Sequence, residues 1–301
     1  MAIEAVNLSK SFGKRSILRD ISFTVQPGEL LGLAGLNGAG KTTIIRMLAG
    51  VLQPDNGSIV IDGSNISADK INASKKIGWV QENPVFFPDS TVEGLITYFA
   101  RLRGIDRSSV TTEIQKALDI AGISSIKKTK IRNLSMGIRK RLSIAISTLG
   151  NPGNYLFDEI FNGIDPDGIK FLKDRINNLK KEGCSILLSS HVLSEMQSFA
   201  DRVMIIHDGT IADIVSTSDL AMKGMYNIKI TVENPDNKLM DFLAKFGEVD
   251  VSGKTIRIKR ATGDVGNINP YLVKNGYSVM ELTMTENLLE DYFNDKTRNV
   301  K

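Results

Sequence analysis

The run Gly35-Leu36-Asn37-Gly38-Ala39-Gly40-Lys41-Thr42 constrains this chain more than any other feature, because it fits G-x-x-x-x-G-K-[ST]. A short apolar segment, Leu30–Ala34, runs into it, and Thr42–Ala49 carries apolar residues at helical spacing. Glycines at these positions let the loop turn tightly, so that successive backbone N–H groups point inward at phosphate oxygens. The following helix adds its positive dipole end. Lys41 is then expected to reach the β- and γ-phosphates, and the Thr42 hydroxyl to bind Mg²⁺. A glycine-rich turn that merely precedes a helix is the alternative; the strand–loop–helix context argues against it.

The surrounding pattern suits an α/β chain. Ala2–Leu8 and Ile21–Gln26 alternate like strands, Pro27-Gly28 marks a turn, and Ser58–Ile61 reads as a further strand. From Thr91 to Leu149 the period becomes helical, with Val92, Leu95, Ile96, Phe99 and Leu102 in phase and further helices expected over Val110–Gly122 and Arg139–Leu149. Residues 86–150 are therefore read as a helical insert. Asn154–Asp158 and Ser185–Ser189 are short apolar strands around the helix Gly168–Lys181, a βαβ unit. A hairpin follows about Asp208-Gly209. Near Lys223-Gly224 a new alternation begins, and a strand at Tyr226–Val232 opens a small α+β module. It continues with a helix over Lys238–Phe246, a hairpin across Ser252-Gly253, a helix near Pro270–Asn275, a strand at Tyr277–Leu282 and a last helix over Glu286–Phe293. The expected domains are 1–222 and 223–301.

Composition excludes several classes. Of 301 residues 42% are hydrophobic and 24% charged, which rules out a disordered or collagen-like chain. The longest stretch free of Lys, Arg, Asp and Glu, Leu142 to Phe157, holds Gly150, Pro152 and Gly153 and is no membrane span. The N-terminus lacks the pattern of a signal peptide. One cysteine, Cys184, permits no intrachain disulfide, and a reducing compartment is expected. The net charge of +4 is uneven: residues 86–154 hold 11 basic against 5 acidic side chains. Such a block can face a phosphate ligand, nucleic acid or lipid, or simply solvate a helical face.

A second site emerges at Asn154–Glu159, an apolar strand ending in two acids. Beside a phosphate loop, Asp158 can hold Mg²⁺, usually through water, and Glu159 can orient or deprotonate an attacking water. Further motifs then follow in a familiar order. Phe12, Gln81, Leu134-Ser135-Met136-Gly137-Ile138, Asn162-Gly163-Ile164-Asp165 and His191 accompany the phosphate loop and the acidic strand end. Over about residues 1–222 the chain resembles the nucleotide-binding subunit of an ATP-binding cassette (ABC) ATPase. The resemblance implies a RecA-like phosphate-loop core with an antiparallel β subdomain and a helical signature subdomain, followed here by the C-terminal α+β module.

The resemblance also implies roles. Phe12 would stack on adenine, and Gly35 to Thr42 together with Thr43 would bind ATP. Gln81, Thr42 and Asp158 would serve Mg²⁺, Glu159 would prepare the water, and His191 would position the γ-phosphate. Ser135 and Gly137 of one chain would meet the ATP of the other in a head-to-tail homodimer, or a heterodimer with a similar subunit, and Asp165 would couple the two sites. Met136 and Ile138 replace a glycine and the glutamine of the usual LSGGQ signature, and Ile160 a common proline; the first two resemble the branch that exports drugs, lipids or polymers. Arg139, Lys140 and Arg141 are expected to favour the incoming nucleotide by their charge. A separate multi-span membrane subunit would be the partner, docking near Gln81 and the Pro-rich, aromatic segment Asn83–Asp89, with this chain on the cytoplasmic face. A non-transport ABC ATPase acting on ribosome or DNA is the other reading. No aromatic-interleaved basic pattern points to nucleic acid, and the sequence has a single cassette.

Overall fold

The computed structural model describes residues 2–222, 226–285 and 288–298. The expected boundary at Lys223-Gly224 and the expected start of the last helix at Glu286-Asn287 lie outside the described residues. The chain divides into two compact units, Met1–Val192 with Phe199–Ile214, and Leu193–Ser198 with Val215–Lys301.

In the first unit the chain opens with a long antiparallel hairpin, Ile3–Phe12 against Arg15–Val25, and Asn56–Ile61 pairs with its first strand. The second hairpin strand starts well before Ile21, where polar residues interrupt the apolar alternation. A six-stranded sheet forms the centre, in the order 210–216, 202–207, 30–35, 185–190, 154–158, 77–80. Leu30–Gly35 lies parallel to both Ser185–Ser190 and Arg202–His207, and Asn154–Asp158 parallel to Ser185–Ser190. Leu30–Gly35, Asn154–Asp158 and Ser185–Ser190 are buried along their whole length. That is why they read as continuous apolar runs rather than as alternation.

The parallel order brings the carboxyl ends of three strands to one edge. Gly35, Asp158 and Ser190 end there, and ligands in such sheets bind at that edge. The helix Lys41–Leu48 leaves the phosphate loop and buries Ile44, Ile45, Met47 and Leu48 in a core shared with the hairpin and the central sheet. The helical block packs around its own core of Val92, Leu95, Ile96, Ile114, Leu118, Leu142 and Leu149. Thr91 caps its first helix, Val92–Leu102, by accepting from Gly94 N. The signature helix runs Met136–Thr148, starting three residues before the expected Arg139, with Ser135 as its cap. Several elements are additional to the sequence reading, among them the helices Lys70–Lys75, Leu193–Phe199 and Thr217–Met222 and the strands Ser64–Asn65 and Ile77–Val80.

The second unit holds a β-α-β-β-α-β series. Its strands are Tyr226–Val232, Glu248–Ser252, Thr255–Ala261 and Val279–Thr285, with helices Asn237–Leu243 and Ile268–Lys274 between them. Numbered within the module, the strands lie in the order 2-3-1-4, with neighbours antiparallel. This is the ferredoxin-like split βαβ arrangement. Ile228, Ile230, Val232, Ile256, Ile258, Leu239 and Leu272 close its core. In the same unit, Leu289 N of the helix Leu288–Arg298 donates to Oε1 of Gln197 at 3.0 Å.

Candidate functional site

The phosphate loop closes by conformations that only glycine adopts cheaply. Gly40, the residue before the helix Lys41–Leu48, has φ +111°. A β-carbon there would lie 2.5 Å from Cδ2 of Leu18. Lys41 then turns inward and is 6% exposed. Its Nζ donates to the carbonyl of Gly35 at 2.7 Å and lies 3.3 Å from Oε1 of Glu159.

The acidic pair divides by environment. Asp158 ends its strand 4% exposed, with Oδ1 accepting from Ser189 Oγ at 2.8 Å and from Thr42 Oγ1 at 3.4 Å. Burial pushes its carboxyl above the usual range, against the two hydroxyl donors. Glu159 takes φ +47°, a left-handed backbone uncommon outside glycine, so the chain breaks sharply from the strand. Its N–H is held by the carbonyl of Ser189 at 3.2 Å and by Ser189 Oγ at 3.0 Å. Its carboxylate turns back between Lys41 and His191, whose Nδ1 lies 2.8 Å from Oε2. The backbone N–H of His191 also donates to Oε2, at 3.3 Å.

These groups line an open cavity of about 410 Å³. The cavity brings together Phe12, Leu36, Asn37, Gly38, Gly40, Lys41, Thr42, Thr43, Glu159 and His191. Gly35, Ala39 and Asp158 lie directly behind that lining, through the contacts of Lys41, the loop itself and Thr42. Phe12 is 54% exposed at the rim, with Lys10 Nζ 5.7 Å from its ring centre.

Four expected residues are not brought there. Gln81 is exposed and lines a different groove, with Trp79, Pro84, Val85, Phe86 and Phe99; its neighbour Glu82 lines the cavity instead. Ser135 is exposed and caps its own helix, accepting from Ile138 N at 3.4 Å, and the space beside Gly137 is open. Asp165 caps the helix Pro166–Lys181 through Gly168 N at 3.0 Å. One expectation is corrected. Lys140 is 1% exposed and faces inward, and the guanidinium of Arg141 lies 4.0 Å over the Phe171 ring, so neither charge is free to meet an incoming nucleotide. Burial pulls the Lys140 ammonium down to about 8, against the charges of Glu82, Asp158 and Glu159.

Sequence reasoning missed Arg15, Ile17, Glu82 and Ser189 as parts of the site, and gave Asn162 only as part of the motif Asn162-Gly163-Ile164-Asp165, whereas it lines the cavity. Arg15 and Ile17 belong to the stretch of strand whose polar residues hide the alternation. Ser189, at the end of an apolar strand parallel to the acidic one, was a legible signal.

The site is suited to Mg²⁺ as well as to phosphate. Thr42 Oγ1, Asp158 Oδ1 and Ser189 Oγ are hard oxygen donors grouped beside the loop, and a dication would offset the cost of the buried carboxylate. Among the described residues no three His, Cys, Asp or Glu gather as an all-protein metal site.

Residues 18–162 match the family described as ABC transporter. The bacitracin transport ATP-binding protein BcrA of Bacillus licheniformis is 33% identical over 296 residues, covering 97% of this chain and 95% of that protein. That span takes in the C-terminal module. The lantibiotic transport ATP-binding protein SrtF of Streptococcus pyogenes is 35% identical over 205 residues, 68% of this chain and 86% of its own. Among solved structures, the ATP-binding subunit of an ABC transporter superposes with a TM-score of 0.68 at 28% identity, over 74% of this chain and 93% of that one.

Proposed function

Because the chain belongs to the ABC transporter family, as an ATP-binding subunit that energises a separate transmembrane partner, we propose that it hydrolyses ATP to ADP and phosphate to drive an exporter. The observation that carries this reading is the Glu159 carboxylate, held between Lys41 and His191 at the cavity wall. Lys41 binds the phosphates, Thr42 and Asp158 serve Mg²⁺, Glu159 orients and deprotonates the attacking water, and His191 positions the γ-phosphate. Mg²⁺, when bound, neutralises charge developing on the phosphate oxygens. Phe12 stacks on adenine from the rim. Gln81 enters from its own groove.

Ser135 and Gly137 are offered outward, away from their own chain's cavity, which supports a head-to-tail dimer in which each chain completes the other's site, with Asp165 between them. The groove beside Gln81 supports docking of the membrane subunit: Val85 at its edge is 92% exposed, and Phe87 nearby is 58% exposed. Among the described residues no helix is long and apolar enough to cross a membrane. We place the chain peripherally on the cytoplasmic face, with 1–222 as the ATPase domain and 223–301 as an accessory domain. Both curated relatives named above are transport subunits, and the ribosome- or DNA-directed alternative is set aside.

Glu159→Gln tests the chemistry. Phosphate release is expected to fall by at least about 100-fold, in line with loss of a positioned base, while ATP still binds and dimers accumulate. Turnover near that of the unaltered chain rules the base assignment out.

A further inference from the structure

Lys140 is the most completely buried of the charged side chains among the described residues. It stands on the signature helix, five residues after the cap Ser135. Its Nζ reaches two backbone carbonyls from different elements, that of Gln81 at 3.4 Å and that of Glu159 at 3.5 Å. Taking an ammonium out of water is costly, and such groups persist where carbonyls and opposite charges surround them. Glu82, Asp158 and Glu159 supply those charges.

The Glu159 contact has a specific consequence. A non-glycine residue in the left-handed region persists only when its surroundings over-determine it. The N–H of Glu159 is fixed by Ser189, and its carbonyl faces Lys140. Both ends of the residue are therefore held, with its carboxylate between Lys41 and His191. The same ammonium reaches Gln81, in the segment that leads to the proposed docking groove. We propose that Lys140 is a positioning residue for the reaction: from the signature helix it clamps the carbonyls of Glu159 and Gln81, and so holds the proposed base in register with both motifs. This rests on Glu159 acting as the base.

The test uses the full chain with Lys140→Met, Lys140→Arg and, separately, Glu159→Gln. Binding is read with a fluorescent ATP analogue and turnover by phosphate release. With Lys140→Met, kcat is expected to fall about tenfold or more while the Kd stays within about twofold, the split expected when geometry at the reacting centre is lost. Lys140→Arg, which keeps charge and donors, is expected to recover most of the turnover. An unchanged kcat in Lys140→Met overturns the proposal. So does a parallel loss of binding and turnover, which marks a structural role. If Lys140→Met does not fold, Lys140→Gln takes its place: reduced kcat with ATP affinity kept supports the clamp, and wild-type kcat overturns it. Glu159→Gln alone reports on the base assignment, so a failure there is distinct from a failure at Lys140.

Discussion

Gly163 lies in the turn between Glu159 and the cap residue Asp165, with φ +69°. A β-carbon built there falls 2.5 Å from Sδ of Met136, the signature residue that stands where the family has glycine. Gly163→Ala therefore meets two separate costs. The left-handed backbone costs roughly 1–2 kcal/mol for a residue with a β-carbon. Alanine's smaller unfolded-state entropy returns about 0.4–1 kcal/mol of that. Met136 is 53% exposed and has room to move, so relieving the overlap costs about one off-rotamer side chain, roughly 0.5–1.5 kcal/mol. The sum is about 2 kcal/mol, or roughly 4–8 °C in Tm for a unit of this size. Met136→Ala removes the sulfur and keeps a good helix former at the helix start, so the double variant should recover about 1 kcal/mol, or roughly 2–4 °C. Thermal unfolding of the four proteins in a double-mutant cycle measures this coupling directly. Single variants that add without coupling, or a Gly163→Ala chain as stable as its parent, would show that Met136 does not pack on this turn.

Two further perturbations test the scaffold. Gly78→Ala puts a β-carbon 2.6 Å from the carbonyl of Ser147 and 2.7 Å from the buried Tyr155 ring, so strand and signature helix must separate; a loss of about 3 kcal/mol in urea unfolding is expected. Asp55 accepts from Lys10 Nζ at 2.6 Å and from Ser11 N at 2.7 Å, which hold its carboxyl below the ordinary range, the Lys10 bond foremost. The stability this contributes is present above about pH 4 and lost as pH falls through the folded value, so Asp55→Asn should unfold with a shallower acid limb.

The site was legible where its chemistry is local. Gly35–Thr42 and Asn154–Glu159 carry their meaning in consecutive residues, because a phosphate loop and a strand-end acid are each built by one turn of chain. What depends on orientation was not. Gln81 and Glu82 are neighbours, and only the fold decides which of them lines the cavity. The triplet Arg139-Lys140-Arg141 reads as one basic surface, yet three consecutive helical residues fan over about 200°. With Leu142 and Ala145 packed in the helical core and Arg141 turned to Phe171, Lys140 is carried inward. The strand Arg15–Val25 was half hidden, since its irregular register with Ile3–Phe12 breaks the period-two pattern near Leu8 and Lys10. Short elements such as Lys70–Lys75 give too few residues for periodicity to register.

Under the proposed function, the contact between Lys41 and Glu159 joins ATP binding to hydrolysis in one pair of side chains. A triphosphate that reaches Lys41 competes with a carboxylate already 3.3 Å from its Nζ, while the Gly35 carbonyl, at 2.7 Å, keeps the ammonium at the loop. Glu159→Gln removes that competitor along with the proposed base. A hydrogen bond to a charged group nets roughly 1.5 kcal/mol, and its release should tighten ATP binding by about tenfold. The effect is measured without Mg²⁺, where hydrolysis does not distort the titration. The opposing lysine is left with neutral partners only, so the sign is fixed by charge rather than by shape. An affinity equal to or weaker than that of the unaltered chain would mean that Lys41 is held by the loop carbonyls alone, and that Glu159 faces the cavity without restraining the lysine that binds there.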